Sequence, residues 1–462
     1  MLNICDLVEI AHGELILPYF SMVEAATLRG VCRRFRRVIT AYPWDDRDTY
    51  VFDLRTWALS FPRARYCKIG QSYAVLSKDL SYLRGLRNLQ RVDIVGNNSA
   101  CFGDWGVHEL KGIRHLDLRM CAQVELSDLG LSALKGIKTL YFTARRVTDS
   151  GMCHLKGIQD LSIDGDIEFT DMGLGALAPH LQQLSIGSGY TSITDAPFVR
   201  MSALVDLSLY GLTHAELTDR TLCALSGLAS ISIYACSRVE FTNEGIRALA
   251  GVKCITLSDM DGVTCDDTAI AALAGVERLD LSACPNVSIT DVGIAAIAGV
   301  RILSLSDCRG LQISDEGFMA LAGISTLDLS WNRWARIQLS RIGIWALRGI
   351  HMLDMTDTGL YFTADEISPL TVNGSYINTD LPDIEWLADD QAHEDFDGGD
   401  DDGGDDDGGD DDGGDDDGGD DDGGDDDGGD DDGGDNDDGV DFEDYDWGFD
   451  GDNFDGALGY VL

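Results

Sequence analysis

The sequence predicts an α/β solenoid: parallel strands lining the concave face of a horseshoe, a small helical module before them and a disordered acidic tail behind. Three observations predict it. A landmark, usually glycine followed by an aliphatic residue, returns at Gly85, Gly112, Gly136, Gly157, His180, Ala203, Gly227, Gly251, Gly275, Gly299, Gly323 and Gly349. The five intervals from Ala203 to Gly323 are 24 residues each. Behind each landmark stands a strand-like alternation, and then the start and stop signals of a short helix.

Residues 1–48 lie outside the repeat. Leu28, Val31, Cys32, Phe35 and Val38 follow helical spacing, with arginines at 29, 33, 34, 36 and 37 on the remaining face. So short a segment cannot hold a large core alone, so its apolar surface is expected to pack on something else. The stretch Val31-Cys32-Arg33-Arg34-Phe35, the later Pro43-Trp44 and the Glu14-to-Phe20 helix resemble an F-box. One departure is His12-Gly13, where that family usually carries Leu-Pro. A helical cap for the solenoid is the alternative reading of residues 14–44. The arginines read as a solvated face; opposite charge also allows them to attract the acidic tail. A nucleic-acid patch is the weaker reading, because no other basic stripe accompanies them.

Residues 49–85 read as a linker and degenerate first repeat, and residues 86–372 as the regular array. One unit shows the logic. Val276, Leu279 and Leu281 are expected to point inward; Thr290 and Asp291 suit a helix start, Ile294 and Ile297 share a face, and Gly299 suits the left-handed stop. Eight residues past the aliphatic landmark stand Cys121, Cys236, Cys284, Cys308 and Asn332, and Asn97 holds the equivalent place in the first repeat. A small polar side chain there can satisfy turn backbone inside the coil. Arg145, Gly189, Leu212 and Met260 interrupt the slot, and the Gly136-to-Gly157 unit has only 21 residues. The pattern is similar to leucine-rich repeats of the cysteine-containing subtype.

An F-box ahead of such repeats resembles the F-box/leucine-rich-repeat family. That resemblance implies a non-catalytic substrate-recognition subunit of an SCF-type cullin-RING ubiquitin ligase. The module would dock a Skp-type adaptor and its cullin scaffold through Leu15, Leu17, Pro18, Leu28, Val31, Cys32 and Phe35, while the concave face would hold a target protein. The other open reading is an interaction scaffold with no ubiquitin link.

On the concave face, aromatic and arginine anchors single out Arg119, Tyr141, Tyr210, Tyr234 and Arg278. Trp331 and Trp334 form a second candidate, in a unit stretched to 26 residues. Each has a plainer reading: cross-strand packing for the first group, and a seal on the C-terminal end for the tryptophans.

Residues 373–395 are expected to cap the array, and 396–462 to be disordered. The formal charge of −47 is concentrated there: residues 389–462 hold 36 acidic side chains and no Lys or Arg. The Asp-Asp-Asp-Gly-Gly tract from Asp400 to Gly434 has no apolar residue to offset ordering entropy. It reads as a solvating tail or as a lure for a basic partner. The twelve cysteines contain no Cys-x-x-Cys pair, the start lacks a signal-peptide pattern, and no apolar run is long enough to span a bilayer. An intracellular protein, cytoplasmic or nuclear, with free thiols, no membrane anchor and no cofactor is expected. The histidines are scattered, and no nucleophile or phosphate-loop signature is present.

Overall fold

Columns of identically placed aliphatic residues set the strand register. The computed structural model describes residues 17–379, apart from 188, 190, 226, 369 and 371–375. Leu15, most of the 373–395 segment and all of 396–462 lie outside the described residues. Fifteen strands follow in chain order from Tyr50–Val51 to Tyr376–Asn378, and Glu125–Leu126 joins them at the side, making sixteen in one parallel sheet. Leu279, Leu303 and Leu327 stand opposite one another and are fully buried. Burying one such side chain is worth about 1.5–3 kcal/mol.

Sheet pairing extends beyond the regular periodicity at both ends. Tyr50–Val51 and Tyr66–Ile69 already pair in parallel, so residues 49–85 hold two sheet strands and the helix Leu54–Ser60. Tyr376–Asn378 pairs with Met352–Asp354 past the expected end of the array at 372.

The helical module comprises a tight turn, Leu17–Tyr19, and the helices Met22–Val31 and Arg33–Ala41. Ser21 and Glu24 form a reciprocal cap on the first helix. Cys32, in extended backbone, separates the two helices and caps the second. Leu17, Met22, Phe35, Ile39 and Trp44 are buried in one core with Val51, Leu54, Trp57 and Phe61. The Trp44 indole donates to the Ile39 carbonyl at 2.8 Å and packs edge-on against Phe61. The module is thus fused to the first coil.

Each turn leaves the sheet through a left-handed residue. Met120, Ala235, Asp259, Ala283, Asp307, Trp331 and Asp357 take φ between 48° and 59°, immediately before the Cys/Asn slot. The slot side chain then reaches back one coil. The thiols of Cys121, Cys284 and Cys308 donate to the carbonyls of Ile94, Leu257 and Leu281 at 2.6, 3.2 and 3.1 Å. Asn332 makes the same contact to Leu305 at 2.7 Å, and Asn97 bonds Gly70 and Tyr73. In the departing units, Leu212 and Met260 fill the slot with apolar volume. In the 21-residue unit the strand Thr139–Val147 continues through this point with a bulge at Arg146, which takes φ 57°, leaving Arg145 exposed beside Glu125.

The helix starts are tied together by a feature the sequence reading attributed only to capping. Asp267 accepts the Thr290 amide at 2.8 Å and its hydroxyl at 2.6 Å from the next coil; Asp291 does the same for Ser314 at 2.8 and 2.6 Å. The joint recurs at Asp104, Asp128, Asp149, Asp171, Asp195, Asp219 and Asp315. In one place the roles are modified, with Asn243 accepting from the Asp266 amide at 3.1 Å. Three residues past the hydroxyl donor stands a glycine in most units, because the preceding aspartate fills the space of a side chain. A Cβ on Gly293 or Gly317 would lie 2.4 or 2.6 Å from that carboxylate.

Two outcomes follow for stability. Gly317→Ala should lower the thermal midpoint, at an overpacking cost of about 1–3 kcal/mol; Gly175→Ala, where the space is open, should not. The Ser340 hydroxyl and amide hold Asp315 below its ordinary value. A depressed carboxylate stabilises the fold above its unfolded pKa and loses that contribution as pH falls through the folded one. Thermal stability should therefore fall on acidification below about pH 4, and Asp315→Asn should flatten part of that fall while lowering stability at neutral pH.

Candidate functional site: an aromatic shelf on the sheet face

Side chains alternating with the buried columns form three parallel rows across the strands Asp160–Ile167, Gln183–Gly187, Asp206–Tyr210, Ser230–Tyr234 and Cys254–Ser258. The middle row is Ser162, Ser185, Ser208, Ser232 and Thr256, each opposite the next. On one side run Asp160, Gln183, Asp206 and Ser230; on the other, Gly187, Tyr210, Tyr234 and Ser258. Small hydroxyls thus make a floor between a polar row and an aromatic one.

The Tyr210 and Tyr234 rings stack with centroids 5.4 Å apart and planes 9° from parallel. Tyr210 lies across Gly187, where a Cβ would sit 1.9 Å from the ring. Glycine in a strand interior commonly marks such a close approach. Burial, then the neighbouring Asp164 and its hydrogen bond with the phenol, push the Tyr210 hydroxyl up from its ordinary value. Tyr210 is therefore fixed from below and from one side, while Tyr234 remains 37% exposed. A preordered aromatic pair loses little conformational entropy when a partner covers it.

Arg119 and Tyr141 also come together, the guanidinium 4.7 Å from the ring centroid. Arg119 is, however, held by Asp117 through bonds of 3.1 and 2.8 Å. Three strand steps, about 14 Å at the usual spacing, separate Tyr141 from Tyr210, so the two pairs are distinct. Arg278 lies in the row of Asp160 and Asp206, away from the tyrosines. Farther along, hydroxyls and carboxylates satisfy one another: Ser282 meets Ser304 at 2.7 Å, Ser304 donates to Asp328 at 3.1 Å, and Ser306 meets Ser330 at 2.9 Å. Cross-strand packing accounts for that stretch.

Trp331 and Trp334 are 62% and 79% exposed, flanking the buried Asn332. They do not seal the solenoid end. At the module, Pro18 and Val31 are exposed, with Val31 at 66%, and Leu28 and Cys32 are half-buried. Leu17 and Phe35 correct the sequence expectation: they belong to the core shared with the first coil, at 1% and 5% exposure, and offer no open ledge. Tyr19, which the motif did not single out, is 86% exposed beside Pro18. The signal for it was its place in a turn, outside the helical spacing.

Burial pushes the thiols of Cys265, Cys284 and Cys308 up to about 12, far from thiolate chemistry at neutral pH. Among the described residues no group of three His, Cys, Asp or Glu is placed to hold a metal ion. No helix among them is long and apolar enough to cross a membrane.

No family model matches the chain, and no curated protein matches it. Solved structures do. A leucine-rich-repeat protein from Leptospira interrogans aligns with 16% identity and a TM-score of 0.49, covering 74% of this chain and 88% of that one. The yeast complex of Rad7 and Elc1 aligns with 16% identity and a TM-score of 0.40, covering 77% and 93%. An internalin from Listeria monocytogenes aligns with 19% identity and a TM-score of 0.36, covering 70% and 76%. The architecture is that of a leucine-rich-repeat solenoid, and the site is read from this chain's own geometry.

Thiol alkylation near pH 8 is expected to label the exposed Cys101 and Cys153 first, leaving Cys284 and Cys308 unmodified until the protein unfolds. Peptide mapping of the alkylated protein checks this.

Proposed function

We propose that this chain is a non-catalytic protein-recognition subunit whose sheet face holds a target protein at the Tyr210–Tyr234 shelf. The observation that carries this reading is the stacked pair, anchored over Gly187 and bordered by a floor of small hydroxyls. Rigid aromatic side chains beside adaptable hydroxyls suit a macromolecular surface better than a small molecule, which needs an enclosed cavity.

The finer reading is substrate recruitment to a cullin-RING ubiquitin ligase. The F-box resemblance of the module supports it, as do the exposed side chains of Pro18, Tyr19 and Val31. One end would hold a Skp-type adaptor and the other a target, raising the effective concentration of target lysines near the ligase. A specific observation favours the rival scaffold reading: Trp44, Phe35 and Leu17 are committed to the first coil, as a pure cap requires.

Co-purification decides between them. The ligase reading expects a Skp-type adaptor to be retained by the wild-type protein and lost on Val31→Asp, with thermal stability unchanged because Val31 is exposed. A wild-type protein that retains no such adaptor leaves the scaffold reading. Tyr234→Ala should weaken target capture in either case, by about 2 kcal/mol for an aromatic anchor at an interface centre.

A further inference from the structure

We infer that the module carries a docking groove, distinct from the exposed Pro18, Tyr19 and Val31, which takes an acidic segment of a partner protein. An open groove of about 970 Å³ lies between the helix Arg33–Ala41 and the first coils. Six arginines line it: Arg29, Arg33, Arg36, Arg37, Arg63 and Arg87. They come from three regions of the chain, and among the described residues no carboxylate lines the groove. Arg37 has an interaction of its own, so the site rests on the other five. Elsewhere the arginines are commonly matched: Arg91 with Asp93, Arg119 with Asp117, Arg146 with Glu168, Arg238 with Glu216 and Arg333 with Asp357.

Within the groove, Arg63 donates to the Ala41 carbonyl, and Arg29 donates to Ser60 and Leu59 while its buried Nε–H has no acceptor. None of those acceptors is an anion. Like charges at this density repel one another, and a run of carboxylates would relieve that repulsion through charge-assisted, forked hydrogen bonds. The volume, set against about 30 Å³ for a water molecule, suits a stretch of chain and not a single small ion. Among the described residues no aromatic side chain lines the groove. The stacking that usually accompanies single-stranded nucleic-acid binding is therefore missing there, which favours an acidic peptide. The chain's overall charge of −47 does not cancel the local field, since charges beyond about 10 Å are largely screened at 0.1 M salt.

The test uses the full chain and a short fluorescein-labelled Glu/Gly peptide, with binding read by anisotropy at low salt. Saturable binding is expected. It should weaken steadily between about 0.1 M and 1 M salt, as the Debye length shrinks from about 10 Å to about 3 Å. Arg33→Glu combined with Arg36→Glu should weaken it at least about tenfold. Arg87→Glu, on a different element, should also weaken it, so that damage to one helix cannot produce the whole effect. Tyr19→Ala and Trp334→Ala, which change no charge, should leave it unchanged, which separates this groove from the exposed aromatic sites. Absence of binding at low salt, as when the chain's own Asp/Gly tract fills the groove, overturns the inference. So does binding that is indifferent to the arginine substitutions, or an oligonucleotide of equal charge that binds more tightly than the peptide.

Discussion

Carboxylates fasten each coil to its neighbour. In the run from Asp104 to Ser340, nearly every joint is one aspartate gripping the amide and hydroxyl of the next Ser or Thr. These are charge-assisted bonds, stronger than neutral ones, and they also occupy a helix-start amide that would otherwise lack a partner. The grip sets the spacing of successive helices, and the sheet register sets the spacing of successive strands. With both edges fixed, every coil presents its outward residues in the same rows. The stacked tyrosines depend on that regularity: Tyr210 and Tyr234 are exact register partners, and so are Gly187 and Tyr210.

The interior solves its polar problem locally. The cysteine slot works because a thiol is small, nearly apolar and still able to donate to a carbonyl of the preceding coil. Asparagine does the same with two donors, and in Asn332 it bonds both Leu305 and Leu329. The outer face divides differently. Toward the C-terminal end, hydroxyls and carboxylates satisfy one another; over the tyrosines, an aromatic surface stays open to a partner. The helical module divides likewise: Trp44 and Phe35 are sealed onto the coil, and Tyr19 and Val31 are left exposed.

Much of the coil was legible in the sequence because it depends on local pattern. Val276, Leu279 and Leu281 are buried as their alternation requires, and Thr290 caps its helix. The ladder was less legible. Asp291 looks like a helix-start residue, and nothing in one unit shows that its partner, Ser314, lies in the next. Only the joint recurrence of Ser or Thr, Asp and Gly carried that signal. At the module, helical spacing grouped Leu28, Val31, Cys32 and Phe35 on one face but could not say which neighbour covers it. The first coil claims Phe35 and leaves Val31 outside. On the sheet face the tyrosines were legible from register, whereas the role of Gly187 beneath Tyr210 needed three dimensions.

The ladder is the claim on which the rest stands, and amide hydrogen exchange addresses it directly. The Ser314 amide opens a helix, where exchange is ordinarily fast, and the Gly317 amide lies buried in its first turn; both donate to Asp291. The account predicts that they exchange slowly in the wild-type protein and quickly in Asp291→Ala, with amides in distant coils unaffected. Fast exchange at both positions in the wild-type protein would contradict it.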